Sequence, residues 1–216
     1  MSGFPGSPQI KKGGIVLLDP SGTLKQIINL QYNPDTLTRT IQVKGVGQES
    51  GDRSEALRLK GPPVETYKLE AEIDATDGLE AADPTATSVG LHAALAALEL
   101  IVYPDSGTLQ ANNTAAASGS LEIIAAETPL TIFVFGPKRI APVRITEFSI
   151  TEEAFDTFLN PIRAKISLGM RVLTVDDINF DEKGGGLFMA YLRAKEQLAK
   201  QSTQGSFSNM GIQGIS

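Results

Sequence analysis

Residues 64–74 read VETYKLEAEID and carry the clearest strand pattern in the chain. From position 67 to position 74, apolar and charged residues alternate. The apolar set is Tyr67, Leu69, Ala71 and Ile73, and the charged set is Lys68, Glu70, Glu72 and Asp74. Because successive side chains of a strand point to opposite faces, this alternation predicts a strand with one face in a core and the other in water.

Segments on both sides of this strand continue the β pattern. They are rich in β-branched and apolar residues, and they are residues 15–18, 24–32, 38–44, 129–135, 142–151 and 161–174. Such composition, bounded by turn residues, predicts strands. Residues 129–135 are apolar almost throughout, which predicts a strand that is buried on both faces or placed at a subunit contact.

Apolar residues at helical spacing interrupt the run of strands. They are Leu91, Leu95, Leu98 and Val102. The spacing predicts a helix over residues 89–101, which Ser88 caps and Pro104 stops. The neighbouring segments 78–87 and 105–120 lack core-forming residues, so they predict loops, and we expect the second of these to be flexible.

A helix set within a run of strands predicts the α+β class. We expect a β-sandwich or barrel with one packed helix, followed by a C-terminal helix over residues 187–201. The chain divides into a flexible N-terminal arm (1–13), a main domain (14–175) and a helical extension with a polar tail (176–216).

The composition narrows the classes of function. The 216 residues include no cysteine, which excludes disulfides and thiolate metal sites, and the net charge is −6. An acidic balance disfavours a nucleic-acid partner, because phosphate binding needs clustered Lys and Arg. The sequence begins without the apolar stretch of a signal peptide, and no apolar run is long enough to span a membrane. We therefore expect a cytoplasmic protein that does not insert into a membrane.

Residues able to carry catalysis are scarce. His92 is the sole histidine, and no Gly-x-Ser-x-Gly motif accompanies it, so we interpret it as structural. The doublets Glu152-Glu153 and Asp176-Asp177 flank strand ends, which is typical of solvated turns. Metal-ligand spacing and a phosphate-binding loop are absent from the sequence. The sequence predicts a non-enzymatic protein with no cofactor and no metal.

Five segments form an ordered series of motifs. They are residues 30–37 with Tyr32, Asn33 and Pro34; 59–70 with Gly61 and Pro62; 90–104 with Tyr103 and Pro104; 129–136; and 148–164 with Phe155, Phe158, Leu159, Pro161, Arg163 and Ala164. In this order and spacing they resemble the tube-protein family of contractile injection systems, which is related to phage tail tubes and to baseplate tube initiators. Many members continue into a LysM-like module, and we expect this chain to lack it, because residues 176–216 predict a helix and a polar tail instead.

The resemblance implies a structural subunit of a phage-tail-like machine. Members of this family form six-fold rings at the inner tube or baseplate, as tube initiators or as adaptors between spike and tube. We therefore expect copies of this chain to join a hexameric ring with other tube, spike and baseplate subunits. Residues 1–13 and 45–56 are expected to clasp neighbouring rings.

Two sets of side chains are candidate assembly contacts. The polar face of residues 64–74, formed by Lys68, Glu70, Glu72 and Asp74, either lines the channel as an acidic surface or is an ordinary solvent face. The apolar residues of the C-terminal helix either bind a baseplate neighbour or pack on their own domain. These residues are Leu187, Met189, Leu192 and Leu198.

Two other classes of function remain open at this level. A non-catalytic β-sandwich module for a ligand or glycan predicts a monomer with an exposed aromatic or polar cleft. A carboxylate hydrolase predicts acidic residues that are distant in sequence but converge in one pocket.

Overall fold

The computed structural model describes residues 11–19, 21–45, 58–119, 128–202 and 205–213. Within these ranges the strands are β1 (Gly14–Leu18), β2 (Leu24–Asn29), β3 (Leu37–Gln42), β4 (Val64–Asp74), β5 (Leu130–Val134), β6 (Ile140–Phe155) and β7 (Pro161–Val172). The helices are α1 (Thr76–Glu80), α2 (Pro84–Val89), α3 (His92–Glu99), α4 (Ser106–Ala117) and α5 (Lys183–Lys200), with a 3-10 helix at Phe207–Met210.

The seven strands join one antiparallel sheet in the order β2-β1-β5-β6-β7-β4-β3. A sheet core with packed helices confirms the predicted α+β class. The long β6–β7 hairpin lies at its centre, and β7 pairs with β4 from Arg171 opposite Thr66 to Arg163 opposite Asp74. This register places β4 inside the sheet and leaves β2 and β3 at its edges.

One face of the sheet carries the core. The predicted apolar face of β4 is confirmed, since Tyr67, Leu69, Ala71 and Ile73 are all buried. Apolar side chains of two helices complete the same core, and they are Leu91, Leu95, Leu98 and Ile101 in and beside α3, with Phe188 and Tyr191 of α5. Burial of this apolar surface is the main term that stabilises the fold.

The prediction of a loop over residues 78–87 is wrong, because this segment forms parts of α1 and α2. Asp83 caps α2 by accepting hydrogen bonds from the backbone N–H groups of Thr85 and Ala86. Ser88 lies within α2 and does not cap α3. The two helices are separated at Gly90, whose φ of +55° and close approach to the Pro161 carbonyl leave no room for a side chain.

The prediction of a flexible loop over residues 105–120 is also wrong, because most of this segment forms α4. Asp105 accepts hydrogen bonds from the N–H groups of Gly107 and Thr108 and so starts the helix. Alanine, the best helix former, supplies much of the remaining sequence. The helix buries no residue, so its sequence carries no apolar pattern that would predict it.

Two further expectations fall largely outside the described residues. The N-terminal arm is described only from residue 11, and Gly13 there donates to the side chain of Asn33. The proposed ring-clasping segment 45–56 is described only at Gly45. In the part of the chain that is described, no helix has the length and apolar character needed to cross a bilayer.

Candidate functional site

On β4, β7 and most of β6, the face of the sheet opposite the core is polar and exposed, and we call this surface the outer face. Residues paired across strands share a face, so the register of β4, β7 and β6 brings ten charged side chains together. The cations are Lys68, Arg144, Arg163, Lys165 and Arg171, and the anions are Glu70, Glu72, Asp74, Glu147 and Glu153. The predicted acidic row on β4 is therefore neutralised by its neighbours, and this part of the outer face is balanced in charge.

Cross-strand ion pairs fix this balance. Lys68 Nζ lies 2.8 Å from Glu147 Oε2, and the pair reaches across β7 at Gly169. A side chain at that position would be crowded, since its Cβ would lie 2.9 Å from the Cβ of Glu147. A second pair joins Arg163 Nε to Asp74 Oδ2 at 3.0 Å. Exposed pairs of this kind each contribute only about 0–1 kcal/mol, so they set the charge pattern more than the stability.

Asp74 is held more firmly than the rest of its row. Hydrogen bonds from the side chain and backbone of Thr76, with a further one from Arg163, keep the pKa of Asp74 below its ordinary value. This carboxylate ends β4 and begins the turn into α1. Its role in local structure is therefore established by its contacts, whereas a role of this row in assembly stays a prediction.

A buried polar cluster docks α5 on the sheet. Glu65 of β4 is only 4% exposed, and its Oε1 accepts hydrogen bonds from the hydroxyls of Tyr67, at 3.0 Å, and Tyr191, at 2.8 Å. Its Oε2 accepts from Lys195 Nζ at 2.5 Å, and Arg39 Nε lies 3.8 Å from Oε1. The cluster thus joins β4 and α5, which lie far apart in the sequence, through one carboxylate.

Burial and hydrogen bonding oppose each other at this cluster. Burial alone would raise the pKa of Glu65, but the hydrogen bonds from Lys195, Tyr191 and Tyr67 outweigh it and lower that pKa. Burial raises the pKa of Tyr191 far above its ordinary value. The carboxylate is therefore charged and both phenols are neutral near neutral pH.

The residues predicted as contacts on the C-terminal helix divide between two sides. Leu187 and Met189 are half-buried, and Met189 packs against the core. Leu192 and Leu198 are exposed. Sequence reasoning missed the residues that dock α5, namely Phe188, Tyr191 and Lys195, although their spacing of three and four residues is the ordinary signal of one helix face.

The end of β6 and the loop to β7, residues 155–160, project apolar side chains into water, and we call this segment the hairpin tip. Phe158 and Leu159 are 84% and 76% exposed. Asp156 holds the turn, since its Oδ1 accepts from the N–H groups of Phe158, at 2.7 Å, and Asn160, at 2.8 Å, and its Oδ2 accepts from the side-chain amide of Asn160. The tip is thus a fixed turn that presents a phenylalanine and a leucine.

The two edge strands also expose apolar residues. Leu24 and Ile27 of β2 are each more than half exposed, as is Val43, which follows β3, and Ile41 of β3 is nearly so. In the described ranges no further strand pairs with the outer edge of β2 or β3. Unpaired strand edges with apolar side chains favour pairing with another chain.

The residues considered for catalysis do not converge. His92 is exposed at the start of α3. Glu152 and Glu153 point to opposite faces of β6, Asp176 pairs with Lys44, and Asp177 pairs with Arg171. No group of three or more potential metal ligands occurs among the described residues. The ion pairs of Asp176 and Asp177 thus link neighbouring segments of the fold.

Comparison with known proteins gives only weak structural likenesses. Neither a protein-family model nor a curated protein matches the sequence. One similar solved structure is a chain of the virion of a native gene transfer agent particle, with 14% identity, a TM-score of 0.27, and coverage of 77% of this chain and 95% of that chain. Another is from the tail of an empty gene transfer agent particle with C6 symmetry, with 15% identity, a TM-score of 0.28, and coverage of 74% and 90%. Neither score establishes a shared fold, so the function is inferred from this chain's own residues.

Proposed function

We propose that this chain is a non-catalytic structural subunit of a phage-tail-like particle, where copies of it join a six-fold ring of the inner tube or baseplate. The observation that carries the proposal is an open sheet whose two edges and hairpin tip expose large apolar side chains. An isolated domain gains no stability from such residues, whereas a subunit in an assembly buries them.

The two edges of the sheet differ, which favours a ring over a two-fold dimer. Contact between β2 of one copy and β3 of the next would be heterologous, and heterologous contacts generate rings when the rotation closes. In such a ring one face of the sheet would turn toward the channel. The outer face suits this position because its balanced charges are hydrated.

The motif series that resembles contractile-injection tube proteins supports the same proposal independently of the edges. Tyr32, Asn33 and Pro34 follow β2, and Pro161 to Ala164 begin β7, so two of the motifs lie beside the edge strand and the hairpin tip. We place the chain at a tube-initiator or adaptor ring, in contact with spike, tube or baseplate subunits. Assembly would take place in the cytoplasm.

Electron microscopy of particles purified from the native source, with mass spectrometry of their components, tests this proposal. We expect this chain to co-purify with tail-like particles and to fit the density of a six-fold ring. Tail-like particles that lack the chain, or a source that makes no such particles, would contradict the proposal and favour a monomeric ligand-binding module.

A further inference from the structure

The hairpin tip presents its apolar residues at a cost to the fold. Leu159 has a φ of +65°, in the left-handed region that residues other than glycine rarely adopt, and Ala154 before the tip has a φ of +54°. The hydrogen bonds to Asp156 hold this turn in place. A strained, rigid loop that carries a nearly fully exposed phenylalanine contributes little to folding, which points to contact with another molecule.

A groove with matching chemistry lies farther along the same hairpin, and we call it the Tyr103 groove. Its volume is about 570 Å³. Its apolar lining comes from Val102, Tyr103, Ile145, Phe148 and Ile150. Glu99, Thr146 and Glu147 also line it. A concave surface that combines apolar side chains with a few polar groups is a usual form of binding site.

The groove lies where β6 loses its partner. Strand β5 pairs with β6 only at Ile140 to Val143, whereas β7 pairs with β6 as far as Phe155. In the described residues, the edge of β6 beyond Val143 has no strand beside it. A segment entering the groove therefore meets apolar side chains beside an edge of β6 that, within the described residues, has no neighbouring strand.

The hairpin tip cannot reach the groove of its own chain. Ile150, the groove residue nearest the tip on β6, is five residues from Phe155, which is about 17 Å along an extended strand, and Phe158 and Leu159 lie beyond Phe155 in the chain. The ladder to β7 continues to Phe155 opposite Pro161, so the hairpin stays paired to its end. Contact between the two surfaces requires two copies.

We propose that the hairpin tip of one copy seats Phe158 and Leu159 in the Tyr103 groove of a neighbouring copy. This inference rests on the proposed ring and identifies one of its contacts. The charges are compatible, since Glu99 and Glu147 line the groove and the only carboxylate of the turn, Asp156, is occupied by its own hydrogen bonds. Because the two surfaces differ, each copy gives a tip and receives one, as a closed ring requires.

Engineered cysteines test the contact directly, since the sequence contains none. Full-length Leu159→Cys protein is mixed with full-length Tyr103→Cys protein carrying a tag of different mass, and the mixture is oxidised. We expect a disulfide-linked species that contains both masses. Phe180→Cys is the matched control for the tip, because Phe180 is also exposed but lies outside it, and it should give no such species.

Several results would overturn the proposal. One is a tip–groove yield no higher than that of the Phe180→Cys control at the highest attainable protein concentration. Another is a disulfide formed within one chain of the Leu159→Cys/Tyr103→Cys double variant. A third is capture of Ile123→Cys by Tyr103→Cys in the same chain, which would assign the groove to residues 120–127.

A second pair of variants separates this proposal from the proposed function. Phe158→Ser should weaken self-association at least about tenfold in sedimentation experiments, as for a central apolar anchor, while Phe180→Ser should leave it unchanged. If native particles carrying Phe158→Ser keep an intact ring of this chain, the tip contact is wrong but the ring stands. If the chain is absent from native particles, the proposed function itself fails.

Discussion

The Glu65 cluster and the hairpin tip are each organised by one carboxylate, and they use it in opposite ways. Glu65 is buried and collects donors from β4 and α5, so its hydrogen bonds bring apolar side chains such as Phe188 into the core. Asp156 collects its donors within one turn, and its hydrogen bonds hold Phe158 and Leu159 in water. The same chemistry therefore serves folding in one region and presentation of a surface in the other.

The difference separates two kinds of apolar residue that look alike in the sequence. Residues around Glu65 contribute to the free energy of unfolding of a single copy. Residues at the hairpin tip contribute little to that free energy, and we expect substitutions there to change the association between copies instead. Substitutions in the two regions should therefore move different measurements.

The largest expected effect is on the docking of α5. Tyr191→Ala should lower the free energy of unfolding by about 3–5 kcal/mol, because it removes a buried aromatic ring and a hydrogen bond to Glu65. Urea unfolding measures the change. Leu192→Ala, on the exposed side of the same helix, should cost less than about 1 kcal/mol. Equal losses would contradict the assignment of the inner face of α5.

The next effect concerns the charge of Glu65. Glu65→Gln should cost about 1–3 kcal/mol near neutral pH, since a charged acceptor for Lys195 and two phenols is lost. The folded state lowers the pKa of Glu65, so the carboxylate's contribution is full above its unfolded pKa of about 4.3 and is lost as the pH falls through the lower folded pKa.

Urea unfolding over a pH series checks that sign. The gap in unfolding free energy between wild type and Glu65→Gln should narrow as the pH falls below about 4. Glu70→Gln is the control, because Glu70 is exposed on the outer face of the same strand. A gap that stays constant or widens on acidification would show that Glu65 is not held as a charged acceptor.

A smaller effect of opposite sign is expected at the hairpin tip. Leu159→Gly should raise the free energy of unfolding by about 0–1 kcal/mol, because glycine relieves the left-handed conformation while adding entropy to the unfolded chain. The same change should weaken self-association. Thr157→Gly, at a position without positive φ, should instead lower stability by about 0.5–1 kcal/mol. Strong destabilisation by Leu159→Gly would contradict this prediction and show that the Leu159 side chain stabilises the folded single copy.

The smallest effect belongs to the outer face. Lys68→Ala should change the free energy of unfolding by less than about 1 kcal/mol, and added salt should reduce even this difference, because the pair with Glu147 is exposed. Ser167→Ala on the same face serves as the control. A loss well above that of the control at high salt would indicate that the pair packs as well as balances charge.

Local alternation was enough to predict the strands but not their arrangement. The bounds of β4 and its buried face follow directly from the period of two. The charge balance of the outer face does not, because it depends on the pairing of β4 with β7, strands that lie far apart in the sequence. The acidic row of β4, considered alone, predicts an acidic surface. The neighbouring strands neutralise that surface in the folded protein.

The helices show the same limit from another side. α4 was missed because a helix that buries nothing needs no apolar stripe, only the Asp105 cap and residues of high helix propensity. The inner face of α5 was missed because its polar members, Tyr191 and Lys195, are buried against a carboxylate some 126 residues away in sequence, as measured from Tyr191. The spacing of these residues marks one face of the helix, but it does not reveal the carboxylate that this face contacts.

Hydroxyl-radical footprinting of the chain, free and within native particles, tests most directly whether the two regions have separate roles. We expect Phe158 and Leu159 to react readily in the free protein and to be strongly protected in the particle, while Phe188 and Tyr191 stay protected in both. Equal reactivity of the hairpin tip in the two states would contradict its role as an assembly surface.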